Sequence, residues 1–276
     1  MANAEQAVKW NGESGQFWAA HDDRYDAMLR PLTARLLSAA HLVPTDRVLD
    51  VGCGCGATTR IAATLAGQVL GVDLSEPMLA RARERAADRD NVRFEAADVQ
   101  SYDFGAGAYD AVISQLGVMF FDDRETAFGN LRRALRPGGR LAFVCWQDEN
   151  RNEHRTVQLA ALAPYVQRQA EQPADAPGPF TLADPEVVRT LLANTGFVDV
   201  TMAALTEPLP VGTDAADAAE FVQHIPSNRA ALADLPEETL AEFGAALRDR
   251  LLAYETPQGV LLRSAAWLVT ARAADQ

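Results

Sequence analysis

The sequence predicts an α/β protein, a mostly parallel sheet with helices on both faces, and three observations carry that prediction. Short apolar runs recur at 47–51, 68–72, 92–95, 109–114 and 140–146. Segments with helical spacing separate them, at 58–65, 75–87 and 122–135. At the first junction the run Arg47–Val51 stops at Gly52, Gly54 and Gly56 and continues at once as TTRIAATLAG. Strands that alternate with helices return by crossovers rather than hairpins, which makes the sheet parallel and buries both of its faces.

Each element has a local reason. Residues 13–40 place Phe17, Trp18, Tyr25, Met28, Leu29, Leu32, Leu36 and Leu37 at helical spacing, with Pro31 marking a kink or break. Ser75 followed by Glu76 and Pro77 starts the second core helix, with a hydroxyl cap and an early proline. Arg136-Pro137-Gly138-Gly139 stops the third helix before the fifth strand. After Trp146 the alternation fails. A polar helix over 148–168 runs into the Pro/Gly-rich loop 171–180; a capped helix at 184–194 and a strand at 197–205 follow. An irregular link over 207–212 leads to helices at 214–224 and 236–254, and 260–273 reads as one long final strand. The expected organisation is an N-terminal helical segment over 1–40, a core made of 41–147, 181–206 and 259–276, and cap insertions at 148–180 and 207–258, which are too long for plain connections.

The bulk properties exclude some partners. Of 276 residues 48% are hydrophobic and the net charge is −13, so nucleic acid and anionic membranes are disfavoured. The arginine clusters Arg81/Arg83/Arg85 and Arg132/Arg133/Arg136 read as solvated helix faces. The first fifteen residues have no apolar leader segment, and no run approaches a membrane span. Cys53, Cys55 and Cys145 form neither a disulfide framework nor a metal site, and a cytoplasmic protein is expected.

A strand that ends in a glycine turn and re-emerges as a helix points backbone N–H groups and a helix N-terminus into one crevice, where an adenosine-containing cofactor fits. Gly52-x-Gly54-x-x-Ala57 also satisfies the dinucleotide pattern, so the turn alone leaves the cofactor open. Asp73, ending the second strand, can accept from both ribose hydroxyls, as it also would in a dehydrogenase. Asp98 after the third strand can accept from the adenine amine, with the backbone beside it, at Val99, meeting a ring nitrogen.

With these residues in place, the chain resembles class I S-adenosylmethionine-dependent methyltransferases, the small-molecule group related to ubiquinone- and menaquinone-biosynthesis enzymes. The resemblance rests on VLDVGCGCGATT (48–59), GVDLSEPMLARAR (71–83), FEAADVQSYDF (94–104), YDAVISQLGVMFFDD (109–123) and LRRALRPGGRLAFVCW (131–146), in the family's order and spacing. TLADPEVVRTLLANTGFVDV (181–200) is similar to the helix and strand that follow. The resemblance implies a Rossmann-like, seven-stranded, mostly parallel sheet with an antiparallel last strand and helical cap insertions, and S-adenosyl-L-methionine as cofactor. It places Asp50, Gly52, Gly54 and Gly56 at the methionine part, Asp73 at the ribose, Leu74 and Met78 at the adenosine, and Asp98 and Val99 at adenine. Ser114, Gln115 and Leu116 would line the opening towards the transferred methyl. Relatives often carry threonine where this chain has Cys55, which leaves the backbone cradle intact.

The acceptor expected is a small, largely hydrophobic molecule methylated at carbon, oxygen or nitrogen. The cap supplies two candidate bases, His154 and His224; His41 reads as a surface residue, and Tyr25, Tyr165 and Glu171 are weaker options. Trp10, Phe17 and Trp18 lie in the N-terminal segment, which in related enzymes folds over the site, where aromatic faces favour a sulfonium. Phe120 and Phe121, with Leu159, Leu162, Phe180, Leu209, Phe221 and Ile225 from the cap, are candidate pocket walls. Two alternatives stand beside this reading: a nicotinamide-dependent oxidoreductase, disfavoured because Lys9 is the chain's one lysine, and a non-catalytic S-adenosylmethionine-binding protein. The oligomeric state stays open between monomer and homodimer.

Overall fold

The computed structural model describes residues 3–165 and 176–275. Three helices lead: α1 (Ala4–Asn11), α2 (Glu13–Ala20) and α3 (Asp22–Ala40). The core then alternates: β1 (Arg47–Val51), α4 (Ala57–Ala62), β2 (Gln68–Asp73), α5 (Glu76–Arg85), β3 (Val92–Ala96), β4 (Tyr109–Gln115), α6 (Arg124–Ala134) and β5 (Leu135–Trp146). There follow α7 (Glu153–Leu162), α8 (Pro185–Asn194), β6 (Phe197–Leu205), β7 (Pro208–Gly212), α9 (Ala215–His224), α10 (Pro226–Leu232), α11 (Glu237–Leu251), β8 (Glu255–Thr256), β9 (Gly259–Arg263) and β10 (Ala266–Ala273).

Seven strands form one sheet in the order β3-β2-β1-β4-β5-β10-β6. The first five run parallel, and β10 lies antiparallel to both β5 and β6. Val48, Leu49, Ile113 and Phe143 are fully buried within it, as both-sided cover by helices requires. The strand order reverses between β1 and β4, and ligands of such sheets bind at the carboxyl ends of the strands beside that point. Asp50, Asp73 and Gln115 stand at those ends.

Four expectations need correction. The chain changes direction at His21 rather than at Pro31, which lies inside α3. Asp22 pins that start: its carboxylate takes Arg81 at 3.0 Å and Arg85 at 2.6 Å, and a negative charge suits a helix N-terminus. Arg81 and Arg85 are therefore clamps between α5 and α3 rather than purely solvated charges, and Arg132 donates to the carbonyls of Gly196 and Ala274. The segment 207–212 is a strand, β7, and not an irregular link. Finally, the single strand expected over 260–273 is two. Ser264 donates from its N–H to Glu207 O at 2.9 Å, and Asn152 brackets Ala265 by accepting from its N–H at 2.9 Å and donating to its carbonyl at 3.1 Å. These bonds turn the chain, so β9 joins β7 and β8 in a separate three-stranded sheet while β10 enters the main one.

Candidate active site

One cavity of about 380 Å³ lies at the carboxyl ends of β1, β2 and β4, roofed by α1, α3, α7 and α9. Its floor is the glycine turn. Gly52 takes φ +66°, and a Cβ there would stand 2.7 Å from Gly117 Cα, so the close approach of the two backbones admits no side chain. Gly56 has the same backbone freedom (φ +77°), but it faces Phe94 beneath the floor and does not line the cavity.

Asp50 is 1% exposed. Its Oδ2 accepts from Thr59 Oγ1 at 2.6 Å, whereas Oδ1 is buried with no partner. Burial pushes its carboxyl up to about 7; the Thr59 hydroxyl opposes this and the charge of Asp73 adds to it. A buried carboxylate oxygen without a donor is costly, so a ligand that brings an N–H to this point is favoured. Asp73 is held from both sides: Gly54 N–H donates to Oδ2 and Ser75 N–H to Oδ1, each at 2.9 Å. Burial raises its pKa and the backbone bonds oppose that rise. Each of its oxygens keeps a further lone pair beyond these bonds. Asp98 Oδ1 accepts from Asn3 Nδ2 at 2.7 Å and from Gln100 N–H at 3.0 Å. Asn3 also accepts from Asp122 N–H at 2.8 Å, so the start of the chain is strapped across this end of the cavity.

Asp50, Gly52, Gly54, Asp73, Leu74, Met78, Asp98, Val99, Gln115, Leu116, Trp10 and Trp18 all line the one cavity. The helices α1 and α2 are locked over it where the Trp10 carbonyl accepts from Ser75 Oγ at 2.6 Å. Trp18 stacks on Tyr25 at 3.7 Å with planes 3° apart, and Trp10 meets Phe120 edge-on at 5.5 Å. Of the cap and flanking residues expected as walls, Phe120, Phe121, Phe221 and Ile225 are there.

Several candidates fall elsewhere. Ser114 is fully buried and donates to Val51 O at 2.7 Å, which braces β4 against β1 rather than lining the opening. His224 is exposed at the end of α9, its Nδ1 against Glu220 O at 2.7 Å, and is not part of the lining. Phe17 stacks on His21 outside the lining, Leu162, Phe180, Leu209 and Tyr165 pack in the core away from it, and Leu159 is not among the lining residues. His41 ends α3 in an exposed left-handed turn. Glu171 lies outside the described residues.

His154 does reach the cavity. Its ring lies 5.0 Å from that of Trp146, its Nδ1 is buried without a partner, and burial, helped by Arg155, lowers its pKa to about 4. It is therefore neutral at pH 7. The lining also includes polar residues that were not singled out from sequence, among them Asn3, Gln6 and Gln158. For Gln158 the signal was its place one turn after His154 on the same helix; for Asn3 and Gln6 no pattern marks them.

A family model described as a methyltransferase domain matches residues 49–143. The chain is 43% identical over 132 residues to a demethylmenaquinone methyltransferase of Thermus thermophilus, covering 44% of this chain and 60% of that protein. It is 34% identical over 145 residues to a trans-aconitate 2-methyltransferase of Variovorax paradoxus, covering 51% and 54%. The chain thus spans little more than half the length of the curated relatives it matches. Among solved structures, the YcgJ protein of Bacillus subtilis superposes with a TM-score of 0.60 at 16% identity, over 90% of this chain and all of that one, which is a likeness of fold.

Proposed function

We propose that the chain is a class I methyltransferase that transfers a methyl group from S-adenosyl-L-methionine to a small, largely apolar acceptor, a reading supported by the match of residues 49–143 to a methyltransferase domain. The observation that carries this reading is the unpartnered, buried Asp50 Oδ1 above a glycine cradle, in the same cavity as the apolar cap. Asp50 would accept from the amino group of the cofactor's methionine part, Asp73 from the ribose hydroxyls, and Asp98 with the Val99 backbone from adenine. Asn3 holds Asp98 in place for that task.

Bound S-adenosylmethionine supplies an electrophilic methyl on a cationic sulfur. The chain's own contribution is to bring the acceptor into line with that methyl in the cavity roofed by α1, α3, α7 and α9. Trp10 and Trp18 turn aromatic surface to the cavity, which favours a cation. His154 is the proton acceptor of this reading, since burial holds its imidazole neutral. With a pKa near 4 it is a weak base, so positioning carries most of the rate. His224 has no part in it. The three free cysteines support a cytoplasmic setting.

Titration calorimetry with S-adenosylhomocysteine and with NADH tests the reading. Binding of the homocysteine nucleoside in the micromolar range with no binding of NADH is expected; the reverse result overturns it.

A further inference from the structure

One wall of the cavity carries a polar relay. His154 and Gln158 stand one helical turn apart on the same face of α7, and both line the cavity. Behind Gln158 stands Asn228 of α10, 1% exposed. Asn228 Nδ2 donates to the carbonyl of Val222 at 2.6 Å. A backbone carbonyl only accepts, so the Asn228 amide nitrogen must face it and Oδ1 must face Gln158. Gln158 donates to that oxygen through Nε2. The relay thus fixes which way the Gln158 amide faces, with one Nε2 N–H spent on Asn228 and the oxygen at the other end. It is Oε1, an acceptor, and it carries no hydrogen bond among the described residues.

The charges point the same way. The described lining holds Asp73 and Asp98, the largely protonated Asp50, and Asp26, which pairs with Arg60 at 3.1 Å, and it includes no arginine or lysine. A carboxylate or phosphate entering beside Gln158 would bring its lone pairs against Oε1 and find no countercharge among these residues, which is the costly form of burial. Around the relay the surface is apolar: Trp146, Phe221, Ile225 and Leu262.

Resting on the methyl-transfer reading, we propose that the acceptor is an uncharged molecule, an apolar body bearing an O–H or N–H that donates to Gln158 Oε1. Asn228 is the positioning residue that keeps this oxygen turned into the cavity. If the donor atom is itself the one methylated, the S–CH3 bond breaks with its electron pair left on sulfur. A bond from that oxygen or nitrogen to carbon forms, and the displaced proton, released from its hydrogen bond to Gln158 Oε1, which is not a base, passes to the neutral imidazole of His154 one turn away.

The test uses protein saturated with S-adenosylhomocysteine and three probes of one skeleton: 2-naphthol, 2-methoxynaphthalene and 2-naphthoate, each titrated by calorimetry. In the unaltered protein 2-naphthol is expected to bind about tenfold more tightly than either other probe, the worth of one buried hydrogen bond. Gln158→Met and Asn228→Leu should each reduce the naphthol–methoxynaphthalene difference to about twofold or less, with the affinity for S-adenosylhomocysteine unchanged as the check that the variant is folded. A merely structural asparagine would leave that difference in place. Tighter binding of 2-naphthoate, equal binding of naphthol and its methyl ether, or no binding of naphthol overturns the proposal. Failure of S-adenosylhomocysteine itself to bind overturns the methyl-transfer reading and the proposal with it.

Discussion

The two halves of the cavity are built by different means. In the cofactor half, each polar group sits at or just beyond a strand end and has one partner close in sequence, Ser75 for Asp73, Gln100 for Asp98 and Thr59 for Asp50, to which Gly54 adds a second bond on Asp73 and Asn3 one on Asp98. In the acceptor half, the wall is assembled from Trp146, His154, Gln158, Phe221 and Leu262, which belong to β5, α7, α9 and β9. The cofactor half is thus a property of short segments and the acceptor half of tertiary packing. The buried titratable groups differ as well. Asp50 is held towards its protonated form and His154 towards its unprotonated form, both chiefly by burial, so both halves favour neutral groups until a ligand arrives.

That contrast gives the ligand-free protein opposite pH sensitivities at its two ends. Asp50 is raised from its ordinary value near 3.8 to about 7, so the native state binds its proton more tightly than the unfolded chain. Its contribution is fully present below about pH 4 and lost as pH rises towards 7, on the order of 4 kcal/mol in all. Asp50→Asn should flatten this part of the stability profile in urea titrations between pH 5 and 8. A profile that keeps its slope would break the assignment. In the same titration, affinity for S-adenosylhomocysteine should rise with pH through 7 as Asp50 ionises to meet the ligand's ammonium.

His154 runs the other way. Its pKa falls from 6.5 to about 4, so its contribution is present above pH 6.5 and lost as pH falls towards 4, on the order of 3 kcal/mol. His154→Leu should remove that acid sensitivity and leave the affinity for S-adenosylhomocysteine within about twofold, because its ring touches the acceptor half. Loss of cofactor affinity in this variant would mean that the two halves are not separable. Asp73→Ala is the converse. It should weaken S-adenosylhomocysteine by about 100-fold, near 3 kcal/mol, since it removes a charge-assisted partner and frees the N–H groups of Gly54 and Ser75. Calorimetry reads this directly, and binding of 2-naphthol to the cap should be far less affected.

The same division explains what was legible in the sequence. Strand–glycine–helix at Arg47–Ala57, the aspartate ending β2 and the aspartate after β3 are local patterns, and the folded chain brings them to one cavity. Ser114 misled because its place at a strand end matches a lining residue, while its hydroxyl is spent on Val51 O. His224 misled because belonging to a cap segment does not say which face of its helix turns inward. The split of 260–273 into β9 and β10 depends on Asn152, more than a hundred positions away, and no local rule links the two. The Gln158–Asn228 relay is likewise a long-range pairing, between residues 70 apart in sequence, and no local pattern marks it.

The smallest expected effect sharpens the comparison most finely. Cys55 lines the cavity, is 4% exposed and makes no side-chain hydrogen bond, while its carbonyl is approached by Arg60 at 3.5 Å. Burial raises its thiol to about 12, so at pH 7 it stays protonated. If the cofactor half is held by backbone, Cys55→Thr, close in volume, should change S-adenosylhomocysteine affinity by no more than about twofold. The same reasoning makes Gly52→Ala severe although it adds one carbon, because that carbon meets Gly117 Cα at 2.7 Å and forces φ +66° on a residue with a Cβ. A tenfold loss in the cysteine variant would show that side chains within the turn, and not only its backbone, read the ligand.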